Sequence, residues 1–242
     1  FFVASLYHAW ILPRPASDCP NPNVAVGGIM REFLHTFRAF FAKKNIVPAL
    51  LFMLLFRLPE AQLVKLINPF LLDPLEKGGL GLTTSTVGFV YGTIGIIGLT
   101  LGGILGGIAA SRGGLRRWLW PMVCAITLPD LVYVYLAYTL DNTPWVVNAC
   151  VFVEQFGYGF GFTAYMLYLI YFSKGGHSTS HYAICTGFMA LGMMLPGMMA
   201  GWLQEQIGYR HFFLWAMLCC VATFVVCLFI KIDPEFGKKK HE

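Results

Sequence analysis

Charge is what this sequence has least of. Asp, Glu, Lys and Arg make up 12% of its 242 residues, roughly half the share of about 25% found in soluble domains. A water-facing globular surface is therefore excluded as the main architecture. Several chemistries are missing as well. The seven cysteines show no CxxC or metal-ligand spacing, and Cys124, Cys150, Cys185, Cys219, Cys220 and Cys227 fall inside apolar runs, where they read as small core hydrophobes. No HExxH, phosphate loop or nucleophilic serine motif occurs, so an enzyme is not expected. His177 and His181 stand four apart, a spacing that suits a metal, but no acid lies near them and no metal site is expected. No cofactor is implied. The net charge of +5 does not form one patch, which argues against nucleic acid. Phe1–Leu12 has no cationic leader region. At about half the ~20 residues that cross a bilayer, it reads as the tail of a preceding membrane helix.

What is present is hydrophobic. Apolar residues reach 57%, with 26 glycines and 21 phenylalanines, and the mean hydropathy is +0.65. Six segments are long enough to cross a membrane: Ile46–Leu72, Thr86–Ala110, Trp118–Thr139, Trp145–Phe172, Tyr182–Leu203 and Phe212–Ile232. Turn-rich stretches separate them, and the four prolines of Pro13–Asn23 mark a loop. Of the 17 lysines and arginines, thirteen fall on one side of the alternating connections, from Arg14 to Lys240. Lys77 and Arg210 fall on the other, and Arg57 and Lys65 lie within a span. That bias predicts a cytoplasmic first loop and C-terminal tail. Within Gly28–Lys44, Ile29, Phe33, Phe37, Phe40 and Phe41 recur at three- and four-residue steps, the pattern of an amphipathic helix on the membrane surface. The predicted organisation is a helix tail over 1–12, a loop with this helix over 13–45, a six-helix bundle over 46–232 and a tail over 233–242.

Charged residues inside the spans are the candidate functional groups, because a charge at the bilayer centre costs roughly 2.5–3.5 kcal/mol on insertion scales. Stepped at 100° per residue, Arg57, Glu60, Ala61, Val64 and Asn68 share one arc, with Lys65 at its edge. The stripe runs about 16 Å, and Pro59 permits a kink beside it. A closed Arg57–Glu60 pair is the plainer alternative. In the fourth span Glu154, Gly157, Tyr158, Gly161, Tyr165 and Tyr168 share a face next to Gln155, a combination that suits a polar solute with apolar ring faces such as a sugar. Tyrosines also serve as interfacial anchors, which fits Tyr168 and Tyr171. A carboxyl held out of water favours its neutral form, so Glu60, Glu154 and Asp130 are candidate proton carriers. Asp130 either pairs with Lys65 or Arg57 or lines the pathway. Arg57, Lys65, Asn68, Gln155, Tyr158 and Tyr165 are candidate solute contacts. Gly88, Gly92, Gly102 and Gly106 form a ladder for close helix packing, and Pro196 and Gly197 are expected to break the fifth span as a gating element.

Gly107-Ile108-Ala109-Ala110-Ser111-Arg112-Gly113-Gly114-Leu115-Arg116-Arg117 resembles the cytoplasmic loop motif of the major facilitator superfamily, with Ser111 where the motif has Asp. Pro196-Gly197 through Gly201-Trp202, then Gly208-Tyr209-Arg210-His211-Phe212-Phe213, resembles that superfamily's last two helices. A closer resemblance is to muropeptide permeases of the AmpG type. It rests on Arg57 and Glu60, Phe70-Leu71, Gly79-Leu80-Gly81, Val87-Gly88, Phe152-x-Glu154 with Gly157, Gly159, Gly161 and Ala164, and Tyr182-Ala183. Pro59 stands in place of a Gly. The resemblance implies an all-α membrane protein, the C-terminal six-helix half of a twelve-helix carrier that works by alternating access. It further implies proton-driven uptake of a muropeptide or oligosaccharide across a bacterial inner membrane, with an N-terminal half and the lipid bilayer as partners. The alternatives are a proton-independent sugar facilitator and a non-transporting sensor or scaffold on the same fold.

Overall fold

The computed structural model describes residues 1–12 and 26–238, with the backbone alone at 26–29. The Pro13–Asn23 loop, the Ile29 side chain and the cations Arg14, Lys239 and Lys240 lie outside the described residues. The chain divides into two units, Phe1–Ala39 and Phe40–Glu242. The first holds α1 (Phe2–Ile11), exposed throughout, and most of α2 (Val26–Phe41). In α2 the rings of Phe33 and Phe37 lie 4.8 Å apart, one helical turn from each other, as the amphipathic pattern requires.

The second unit is all helix and turn among the described residues. Four stretches are long and apolar enough to cross a membrane: Ile46–Leu72, Thr84–Gly113, Leu115–Thr139 and Ser178–Leu228. The fourth expected span, α9 (Pro144–Ser173), is 30 residues long, but Glu154, Gln155 and its glycines and tyrosines dilute its hydropathy. The fifth and sixth expected spans are joined in α10 (Ser178–Leu228), a 51-residue stretch whose backbone leaves helical geometry at Gly208, with φ 73° and ψ 166°. No non-helical geometry occurs at Pro196 or Gly197, so the fifth span is not broken there; Gly208 lies in the expected connection between the fifth and sixth spans. Glycine alone adopts such a φ freely.

Each remaining span is interrupted once. The first consists of α3 (Ile46–Leu55) and α4 (Leu58–Leu72), with a turn at Phe56 and Arg57. Pro59 lacks the N–H that an unbroken helix would use there. Two carbonyls freed by the turn find side-chain donors on other helices. The Tyr165 hydroxyl donates to Met53 O at 2.6 Å, and Thr223 Oγ1 donates to Phe56 O at 3.0 Å. Such rescue is what allows a helix to break inside lipid. The second span runs from α5 (Thr84–Phe89) through a π-helical turn at Val90–Gly95 into α6 (Ile96–Gly113). The third joins α7 (Leu115–Thr127) to α8 (Leu131–Thr139) through a 3-10 turn at Leu128–Asp130, centred on Pro129.

Packing follows the small residues. The α6 glycines meet the α9 backbone: a Cβ at Gly98 would lie 2.8 Å from Phe152 O, one at Gly106 would lie 2.8 Å from Phe160 O, and one at Gly102 would collide with Phe156 O. At Gly88 and Gly92 an added Cβ would meet nothing within 4 Å among the described residues, so neither packs against another helix there. On α9, Gly159 abuts α6, while Gly157 and Gly161 abut α7. After α10 the chain returns across the ends of these helices. Leu115 N donates to Phe236 O at 3.0 Å, and the Phe236 ring lies 4.9 Å from that of Tyr171.

Two apolar cores result. One gathers Phe40, Phe52, Phe56, Met122, Ile126, Tyr165 and Leu169. The other gathers Leu63, Phe70, Tyr133, Val151 and Phe213. Between the residues of the two cores stand buried charged groups: Arg57 and Glu60 in the first span, Asp130 in the third and Glu154 in α9.

Candidate functional site

That polar layer encloses a cavity of about 270 Å³ lined by Arg57, Glu60, Asn68, Tyr91, Asp130, Glu154, Gln155 and Tyr158, with Leu63, Val64, Ile67 and Met193 as apolar wall. Four of these polar residues, Arg57, Glu60, Tyr91 and Asp130, lie at a helix interruption or within a turn of one. Arg57 sits at the turn before α4, and Glu60 lies in the first turn after it. Tyr91 belongs to the π turn, and Asp130 ends the 3-10 turn. Glu154, Gln155 and Tyr158 come from the unbroken α9, whose glycines seat it deeply between α6 and α7. π turns inside α-helices recur at functional sites.

Arg57 grips Glu60 with two bonds, Nε to Oε2 at 2.8 Å and Nη2 to Oε1 at 2.6 Å. Nη2 also donates to the Tyr158 hydroxyl at 2.8 Å. The guanidinium carbon lies 4.7 Å from the Phe162 ring centre and 5.6 Å from that of Tyr158, placing the cation within reach of two aromatic faces. Nη1 has no hydrogen bond among the described residues, which leaves two N–H groups on a residue that lines the cavity. The closed-pair alternative therefore describes half of this guanidinium. Glu154 Oε2 accepts from Tyr133 Oη at 3.0 Å and from Gln155 Nε2 at 2.9 Å. The Tyr91 and Tyr133 hydroxyls are 2.7 Å apart. Asp130 is 5% exposed, and its Oδ2 is buried without a hydrogen-bond partner among the described residues. It pairs with neither Lys65 nor Arg57 and faces the cavity.

The cavity thus gathers Glu60, Glu154 and Asp130, together with Arg57, Asn68, Gln155 and Tyr158. Two expected solute contacts stand elsewhere. Tyr165 is fully buried in the first core, where its hydroxyl is occupied by Met53 O. Lys65 is exposed and is not among the residues that line the cavity; its side chain passes Gly197, where an added Cβ would lie 3.2 Å from the lysine Cε. Gly197 thereby lets α10 approach α4. The sequence reading missed Tyr91 and Tyr133. Tyr133 stands one turn after Asp130, a spacing that carried the signal, whereas the π turn that presents Tyr91 has no signature in the residues. Outside the spans, two hydrogen bonds from Thr143 hold the Asp141 carboxyl below its ordinary range, and partial burial lowers the Lys43 ammonium.

No family model matches the chain. The anhydromuropeptide permease of Escherichia coli (strain K12) is 26% identical over 228 residues, covering 94% of this chain and 44% of that protein. Two Rickettsia prowazekii proteins named as AmpG transporters are 25% and 23% identical, over 82% and 84% of this chain and 47% and 46% of theirs. The chain spans about half the length of the curated relatives it matches. It resembles AmpG-type permeases along most of its length, and these relatives carry transporter names, not enzyme names. With its apolar spans, that likeness makes it an integral membrane protein.

Proposed function

We propose that this chain forms the C-terminal six-helix half of a twelve-helix carrier of the major facilitator type. In this reading it takes muropeptide or related oligosaccharide solutes inward by alternating access, driven by the proton gradient of a bacterial inner membrane. A second six-helix half supplies the opposite wall of the pathway, and the C-terminal tail lies in the cytoplasm. The observation that carries the reading is the polar cavity between two apolar cores, with an arginine that keeps two unused donors. The two N–H groups left on Nη1 diverge, so each can donate a charge-assisted hydrogen bond to a separate solute oxygen, and a muropeptide carries carboxylates and hydroxyls. Gln155 and Asn68 offer hydrogen bonds to sugar hydroxyls, and Tyr91 and Tyr158 offer ring faces.

Three carboxyls share the cavity with a single guanidinium. Full ionisation would leave buried charge without compensation, at a cost that grows steeply away from water. Binding and release of protons at Glu154 and Asp130 relieve that excess, which is the property a proton-coupled cycle uses. Solute that binds Arg57 competes with the two bonds this guanidinium makes to Glu60.

Uptake of labelled anhydromuropeptide into vesicles from cells expressing the protein tests this. Under an imposed pH gradient, the unaltered protein concentrates solute and Glu154→Gln only equilibrates it. Concentration by Glu154→Gln removes that residue from coupling. Equilibration without concentration by the unaltered protein identifies a facilitator, and absence of labelled counterflow identifies a sensor or scaffold.

A further inference from the structure

A second cavity, of about 250 Å³, opens where the start of α3 meets the ends of α9 and α10. Lys44 and Lys231 stand at its rim, both exposed. Neither has an acidic partner among the described residues, where the ion pairs are Arg57–Glu60 and Lys238–Glu235. Asn45 lies beside them, and Tyr168 forms part of the wall. Tyr168 is only 3% exposed, yet its hydroxyl has no hydrogen-bond partner among the described residues.

The neighbouring lysine has a different task. Lys43 Nζ donates to Phe172 O at 2.6 Å and to Lys174 O at 3.0 Å. It thereby covers the carbonyl end of α9, whose partial negative charge would otherwise oppose an anion at this position. Lys44 and Lys231 remain as uncompensated cations beside a wall that includes Pro48, Phe229 and Ile230. Along the same helices, Val47, Leu51, Leu228 and Phe229 are exposed at 63%, 44%, 67% and 61%. In a membrane protein such a strip faces acyl chains, so the cavity joins a lipid-facing surface to a cationic rim. Basic pockets of this kind between membrane helices suit lipid phosphates.

We propose that this cavity binds the phosphate headgroup of an anionic membrane phospholipid. Lys44 and Lys231 pair with its charge, and Tyr168 and Asn45 donate to its oxygens.

The purified chain in detergent, with phosphatidylglycerol or phosphatidylcholine added and retained lipid counted by native mass spectrometry, tests the assignment. Phosphatidylglycerol is retained in preference. Lys44→Gln and Lys231→Gln each lower its retention about fivefold and leave phosphatidylcholine unchanged. Equal retention of the two lipids by the unaltered chain overturns the proposal, as does undiminished phosphatidylglycerol retention in the double variant. Glycerol 3-phosphate provides the soluble arm. Its binding as tightly as the lipid would make this a site for free phosphate and overturn the lipid assignment. Should the lysine variants not purify, Tyr168→Phe keeps the ring and removes the hydroxyl; an unchanged ratio of the two lipids in that variant counts equally against the site.

Discussion

Arg57 and Glu60 illustrate how a buried pair constrains substitution. Both are 8% exposed, so removing the arginine alone strands a carboxylate between two apolar cores. Arg57→Met is expected to cost about 3–5 kcal/mol in unfolding free energy, read by thermal melting in detergent. Most of that loss should return in Arg57→Met/Glu60→Leu, because the stranded charge is then gone. Tyr165 makes the converse point. Its phenol was a reasonable candidate for a sugar contact on the helical face of Glu154 and Tyr158, but it faces a carbonyl that the turn at Phe56 and Arg57 had freed. Tyr165→Phe should lower stability by about 1–3 kcal/mol, the cost of an unmet buried acceptor, and leave solute affinity unchanged in equilibrium binding. A matching drop in affinity would return Tyr165 to the binding surface.

Single helices show what residues can and cannot announce. The polar stripe of α4 was legible because Glu60, Val64 and Asn68 keep helical phase after the turn, and Pro59 marked the turn itself. The glycine ladder was legible only where it meets a partner. Gly102 and Gly106 touch α9, whereas Gly88 and Gly92 have identical chemistry and pack against no other helix among the described residues; a single helix carries no record of which face its neighbour takes. The π turn at Val90–Gly95 shifts phase without any proline or charge to signal it, so Tyr91 could not be stepped into the cavity. Pro196 shows the opposite limit, since long membrane helices tolerate proline and α10 stays helical there. Two glycine variants separate these cases. Gly102→Val should lower the melting temperature and the folded yield, with overpacking of about 1–3 kcal/mol. Gly88→Ala should leave both unchanged.

The Phe40–Glu242 unit is ordered by depth: a cation-bearing end, an apolar core, a layer with buried charge, a second core and an end with few cations. That sequence predicts its orientation. Alkaline phosphatase fused after Lys174 should be inactive in bacteria, and the same reporter fused after Asn142 should be active. Activity after Lys174 would reverse the assignment of the two faces. The return of the chain after α10 adds a constraint of another kind, that of biosynthetic order. Phe236 follows α10 and the spans before it, and its carbonyl holds the amide of Leu115 while its ring lies beside Tyr171. These contacts join the α6–α7 corner to the end of α9, yet they cannot form until residues 1–235 have left the ribosome. During insertion the helices therefore begin to meet through their glycine seams and apolar cores without this clasp, which closes only after α10 has been made.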